Sequence, residues 1–177
     1  TPAELSFVRD ITTQPTTQLA VLIHLKLFQR LGYFTQLAEV PERIRQHIAQ
    51  AAGLRRALKL GRLESYDNSG GTQRHITLLR QFLGVRPLGK EGLAWLDTVA
   101  LSAAETKHVI PDIVNVLLEE LVHHRYELPG FRTLELAAIR AREQVHEGYF
   151  RSIGQALAPD TRKLIDELLS AKEGSRY

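Results

Sequence analysis

Four adjacent residues, Thr72-Gln73-Arg74-His75, place cationic and hydrogen-bonding side chains at the start of an amphipathic run. They follow a polar, glycine-rich turn, Asp67-Asn68-Ser69-Gly70-Gly71. A helix that opens there presents unsatisfied N–H groups and the positive end of its dipole, both of which favour phosphate. Arginine in the first turns matches the acceptor pair of guanine, and glutamine matches adenine. Arg43, Arg45, Arg55 and Arg56 stand upstream and Arg80 downstream, as candidates for the phosphate contacts that fix register on a duplex. Helix, turn and polar-fronted helix is the layout of a helix-turn-helix reader. A second arrangement of this kind opens at Arg132-Thr133, behind Leu128-Pro129-Gly130, with Arg140 and Arg142 further along. Acidic residues surround those arginines, which favours a solvated charged face there.

Other chemistries find less support. The seven histidines invite a metal reading, but His123 and His124 are adjacent and point to different sides of a helix. No HExxH spacing occurs, so no metal site is expected. Glu143 and Glu147 are four residues apart beside Arg140, Arg142 and His146, which reads as helical ion pairing rather than a pair of catalytic acids. GxSxG, GxxxxGK[ST] and GxGxxG are all missing. Cysteine is absent, which removes disulfides, thiolate nucleophiles and cysteine-bound zinc. Methionine is absent too, even at position 1, so an excised or processed piece is expected.

Helical periodicity supplies the elements that must hold these residues. Thr1 caps a short helix from Pro2 to about Asp10, and Pro2 suits its first position. A helix from about Thr16 to Arg30 is apolar on nearly every side and belongs at the centre of a bundle. Gly32 ends it. Pro41 opens a helix whose apolar side is Ile44, Ile48, Ala51 and Ala52, with Arg43, Arg45 and His47 away from that side and Gly53 as its stop. Leu54, Leu58 and Leu63 fit a short helix with Arg55, Arg56, Lys59 and Arg62 outside. Thr72 caps the next helix, which runs to Leu83 with Ile76, Leu79 and Phe82 as apolar positions. Arg86-Pro87-Leu88-Gly89 marks a boundary. Beyond it lie a helix carrying Trp95, a strongly amphipathic helix from Pro111, a long helix capped by Thr133 and running to about Leu157, and a last helix from Pro159. Leu164, Ile165, Leu168 and Leu169 form the expected buried side of that last helix. The fold class is therefore all-α, as two small helix-turn-helix-like bundles over 1–86 and 87–177.

Bulk properties agree with a folded, polyanion-binding chain. Apolar residues make up 44% of 177, enough for a core. Residues 1–86 hold 12 Lys or Arg against 6 Asp or Glu, while 87–177 hold 11 against 14. The front half is thus the basic one, which suits a nucleic-acid partner. The most apolar stretch, Leu19 to Phe28, is interrupted by His24 and Lys26, so no membrane span is expected. Thr1-Pro2-Ala3-Glu4 lacks the basic start of a signal peptide, which points to the cytoplasm.

Several stretches, in order, carry a family likeness: Pro2-Ala3-Glu4-Leu5-Ser6-Phe7, Leu25 through Phe34 followed by Val40-Pro41, and Arg74-His75 through Leu79-Arg80 to Leu83-Gly84-Val85-Arg86-Pro87. Asn115 through Leu121 and Arg125-Tyr126-Glu127-Leu128-Pro129-Gly130-Phe131-Arg132-Thr133-Leu134 complete the set. Together they resemble the N-terminal region of Tn-three family transposases, the class II enzymes that move transposons through cointegrates. The turn before Arg74-His75 is less basic here than the family's usual one. The resemblance implies a helical, double-stranded-DNA-binding fragment of a bacterial, nucleoid-associated enzyme that recognises terminal inverted repeats. It also implies catalysis in a distant RNase H-like core with three metal-binding carboxylates. No catalytic residue or cofactor is then expected in this chain, and divalent metal only in that core. The rest of the transposase chain and a second copy are the expected protein partners. The alternative reading is a helical interaction or dimerisation module of a DNA-processing protein.

Overall fold

The computed structural model describes residues 1–58 and 63–173. Among them lie ten α-helices, one 3-10 turn and no strand; a single isolated bridge joins Arg86 to Tyr126. The protein is all-α. It divides into two compact units, one of Thr1–Gly92 with Leu118–Pro129, the other of Leu93–Leu117 with Gly130–Tyr177.

In the first unit, α1 (Pro2–Ile11) begins in a capping box: the Thr1 hydroxyl accepts from Glu4 N, and the Glu4 carboxylate accepts from the Thr1 amine. Two otherwise unsatisfied donors are met at once. The next helix, α2 (Pro15–Leu31), is the axis of the unit. Every residue from Leu19 to Leu25 is buried. It stops because Gly32 adopts φ +80°, a left-handed conformation that costs glycine little. Around α2 pack α1, a 3-10 turn (Leu37–Glu39), α3 (Glu42–Ala51), α4 (Arg55–Leu58), α5 (Leu63–Asp67) and α6 (Gly70–Leu83). The core joins Val8 of α1, Leu22, Ile23 and Leu25 of α2, Leu37 of the 3-10 turn and Leu79 of α6. Each such side chain stabilises the fold by about 1.5–3 kcal/mol relative to exposure.

Residues 118–129 close onto this unit through the backbone. Arg86 N donates to Arg125 O at 3.0 Å, Glu127 N to Arg86 O at 2.9 Å, and Leu128 N to Gly32 O at 2.9 Å. The Arg86 guanidinium lies 4.2 Å from the centre of the Tyr126 ring. The break in composition at Arg86–Lys90 thus sits where a segment from later in the chain comes back to pair.

The second unit holds most of α7 (Lys90–Ala104), the front of α8 (Ile110–His123), and all of α9 (Phe131–Ala156) and α10 (Pro159–Glu173). Its buried residues are Leu96, Ala100, Ala103 and Ala104 on α7, Ile113, Val114 and Leu117 on α8, and Leu134, Ala137, Ala138 and Ala141 on α9. Arg140 Nη2 on α9 donates to Asp97 Oδ1 on α7 at 2.7 Å.

Four sequence expectations differ from the structure. Leu164, Ile165, Leu168 and Leu169 of α10 are not buried; they are 57, 39, 64 and 63% exposed. An amphipathic stripe states that a helix has an apolar face and does not supply the surface that covers it. Thr72 does not cap α6, because the helix starts two residues earlier, with Ser69 as N-cap. Thr133 does not cap α9, whose N-cap is Gly130. In both cases the threonine falls on the third helical residue. Finally, α3 buries Ile48 and Ala49 and half-buries Arg45, while Ile44 and Ala51 stay exposed. The helix is rotated toward the arginine relative to the side the apolar residues suggest.

Candidate nucleic-acid interface

The local chain around α6 explains which of its polar groups are free. Tyr66, at the end of α5, is 8% exposed and anchors the turn from inside. Its carbonyl accepts from the Thr72 hydroxyl, which also lies 3.0 Å from Ser69 Oγ. Thr72 is therefore buried, at 5% exposure, and offers no hydroxyl to a ligand. Of the candidate contacts, Thr72 is thus one whose side chain serves the turn.

His75 is half-buried, with Nδ1 2.7 Å from Tyr66 Oη and its ring stacked on the Tyr66 ring at 5.8 Å. Burial, assisted by the charge of Asp67, pushes the Tyr66 phenol above its usual range. Burial, and then the neighbouring Arg74 charge, pushes the His75 imidazole below its own. The Tyr66 phenol and the His75 imidazole thus share one hydrogen bond across the turn. His75 secures the start of α6 from within and is not a freely presented base reader.

Gln73 and Arg74, by contrast, are exposed. At helical spacing, Thr77 and Gln81 fall on the same side, opposite buried Thr72, Ile76 and Leu79, and both are exposed. Sequence inspection passed over these two, although the spacing from Ile76 and Leu79 was signal enough. No acid occurs anywhere in α6.

The arginines divide into two groups. Arg43 on α3, Arg55 and Arg56 on α4, and Arg74 on α6 are exposed and have no ion-pair or hydrogen-bond partner among the described residues. Arg80 is spoken for. Its Nε and Nη2 donate to Glu127 Oε2 at 2.9 and 2.7 Å, and its guanidinium lies 5.5 Å from the Phe34 ring centre. With side-chain exposures of 24% and 19%, this pair is largely shielded from water. Of the candidate phosphate contacts, Arg80 is thus one that an internal acid holds. Arg45 is half-buried, and its Nε is enclosed without a hydrogen-bond partner among the described residues, so it too is drawn inward. Lys59 and Arg62 lie outside the described residues.

In the second unit, Arg132 pairs with Glu135 at 3.2 Å and Arg140 with Asp97 at 2.7 Å. Arg142 and Thr133 are half-buried. Of the three candidate arginines there, two already have acids.

Two further sites bear on other chemistries. A cavity of about 800 Å³ opens beside α1, α2 and α3, with a mainly apolar lining that includes Leu5, Leu27, Val40 and Ile48. Its buried acid, Glu4, accepts from Lys26 Nζ at 2.7 Å and from Gln29 Nε2 at 2.8 Å. Burial alone would raise the Glu4 carboxyl, but these donors and the Thr1 amine outweigh it and hold it at about 2. Glu4 is thereby a clamp between α1 and α2, with its lone pairs committed. Among the described residues, no three of His, Cys, Asp and Glu converge in a cation-binding group. His124 Nδ1, just past the end of α8, instead lies 3.0 Å from Glu120 O. No helix among the described residues is long and apolar enough to cross a membrane.

No curated protein and no solved structure matches the chain. One family model does, over residues 1–141, which takes in the whole of α1 through α8 and the buried front of α9. The chain belongs to the family described as Domain of unknown function (DUF4158).

Proposed function

We propose that this chain is the DNA-binding N-terminal part of a Tn-three family transposase, which recognises the terminal inverted repeats of the transposon and positions a separate catalytic core on them. The observation that carries the reading is the set of exposed arginines, Arg43, Arg55, Arg56 and Arg74, unpaired among the described residues, together with an acid-free α6 whose outer face is polar. Short helix, two-residue turn and longer helix, as in α5, Asn68-Ser69 and α6, suits a major-groove reader. The stretches that resemble the transposase family all fall within the residues matched by the family model. On this reading the chain works in the bacterial cytoplasm on the nucleoid. It performs no chemistry itself and needs no cofactor, since the divalent metal belongs to the core.

A mobility-shift titration with a transposon-end duplex against a scrambled duplex tests the proposal. The end is expected to bind more tightly, with affinity falling as salt rises. Arg74→Ala is expected to reduce binding to the end more than to the scrambled duplex, whereas Arg55→Ala reduces both alike. Equal, salt-insensitive binding to both duplexes would overturn it.

A second reading is favoured by one observation. Tyr149, Phe150 and Ile153 of α9 and Leu164, Leu168 and Leu169 of α10 are all exposed. Apolar side chains in such number mark a protein-contact surface, for the rest of the transposase or a second copy. Light scattering that finds a concentration-dependent dimer, with no DNA affinity, would put this reading first.

A further inference from the structure

The outer face of α6 is organised more finely than a basic patch requires. At about 100° per residue, Gln73, Thr77, Gln81 and Arg74 fall within an arc of roughly 100°, centred away from Thr72, Ile76 and Leu79. All four are exposed, and the side chains of Gln73, Arg74 and Gln81 have no hydrogen-bond partner among the described residues. The Thr77 hydroxyl donates to Gln73 O at 2.9 Å, which leaves its methyl group as the part available to a ligand. The arc is bounded on one side by Arg80, held by Glu127, and on the other by half-buried Leu78.

A purely phosphate-binding helix needs cations, and this face has one. Its other members are two amides and a methyl, which are groups that read base edges. From Gln73 to Gln81 the helix advances about 12 Å at 1.5 Å per residue. Base pairs stack about 3.4 Å apart, so the face spans roughly four of them.

We infer that α6 reads about four consecutive base pairs, with Arg74 taking a guanine near one end, Gln81 an adenine near the other, and the Thr77 methyl meeting a thymine methyl between them. The inference rests on the reading that the first unit binds duplex DNA, and it adds Thr77 and Gln81 as specificity-determining residues. Arg74 and Gln81 are seven residues apart, about 10 Å, which sets their bases about three pairs apart.

Selection of bound duplexes from a randomised library, with the full 177-residue chain and its Arg74→Ala, Thr77→Ala and Gln81→Ala variants, tests this. The wild-type chain is expected to yield a motif in which Gln81→Ala erases one adenine preference and Arg74→Ala one guanine preference, about three positions away. Each erased preference should correspond to a drop of about tenfold in discrimination at that position. If the chain selects a motif that Gln81→Ala and Thr77→Ala leave intact, the inference fails while DNA binding stands. If the two end variants erase the same position, the register proposed here is wrong. If the wild-type chain binds no duplex, both the inference and the reading beneath it fall. Circular dichroism of each variant confirms folding, which these exposed substitutions are expected to preserve.

Discussion

Arg55 and Arg80 look equivalent in the sequence, and the structure predicts that they fail in opposite ways. Arg55 is exposed and unpaired among the described residues, whereas Arg80 donates twice to Glu127 and faces the Phe34 ring. On the proposed function, replacing Arg55 by Gln removes one cation that displaces counterions from a phosphate. The slope of log K against log salt is then expected to become shallower by about 0.9. Between 50 and 200 mM salt, that one unit changes the salt-induced loss of affinity by about 3.5-fold. Stability should move by no more than about 0.5 kcal/mol, as for other exposed substitutions. Arg80→Gln should do the reverse. It leaves Glu127, 19% exposed, without its charged partner, at a cost of about 1–3 kcal/mol, while the salt slope stays where it was. Fluorescence anisotropy on a labelled duplex at several salt concentrations gives the slopes, and urea unfolding gives the stabilities. If Arg80→Gln flattens the slope as much as Arg55→Gln and unfolds at the same urea concentration as wild type, then the ion pair with Glu127 does not hold Arg80 away from DNA and the argument collapses.

Gly32→Ala is expected to destabilise by about 1–3 kcal/mol in urea unfolding, because φ is +80° there and the new Cβ would lie 2.7 Å from Leu128 Cδ1; an unchanged midpoint would contradict it. Ile23→Ala, at a fully buried position on the central helix, should cost about 2–5 kcal/mol in the same measurement. Acidification should weaken the fold below about pH 6.5. Burial depresses the imidazoles of His24 and His75, so the unfolded chain binds protons that the folded chain refuses, and stability declines as pH falls from the unfolded value toward the depressed one. His24→Leu removes two buried ring nitrogens that have no hydrogen-bond partner, and should both raise the urea midpoint at pH 7.5 and flatten its fall between pH 6.5 and 5. A variant that loses as much stability on acidification as the wild type would locate the sensitivity elsewhere.

The sequence carries local information well and long-range information poorly, and the residues show where the division falls. Thr1, Pro15 and Gly32 act on their own neighbours, so the limits of α1 and α2 were readable to within a residue or two. The continuous apolar surface of Leu19 to Leu25 leaves no side that water could cover, which is why the central position of α2 was readable as well. The threonine caps were misplaced for an equally local reason. Ser69 and Gly130 can each start a helix, and backbone spacing, not hydroxyl chemistry, chose between them and the threonines three residues on. What could not be read is which arginines remain free. Arg80 is tied to Glu127, 47 residues away, and nothing in the local pattern of α6 announces that partner. His75 is claimed by Tyr66 across the turn, and Arg45 by the rotation of α3. The consequence for function is specific. Charge counting favoured a broad cationic surface, with Arg45 and Arg80 as two of its five phosphate contacts. Packing withdraws those two and leaves Arg43, Arg55, Arg56 and Arg74, with the uncharged stripe of Gln73, Thr77 and Gln81 beside the last of them. On the proposed function, having fewer free cations and more base-reading groups gives up non-specific, salt-dependent affinity and keeps discrimination, the balance needed to find one DNA end among many unrelated sites.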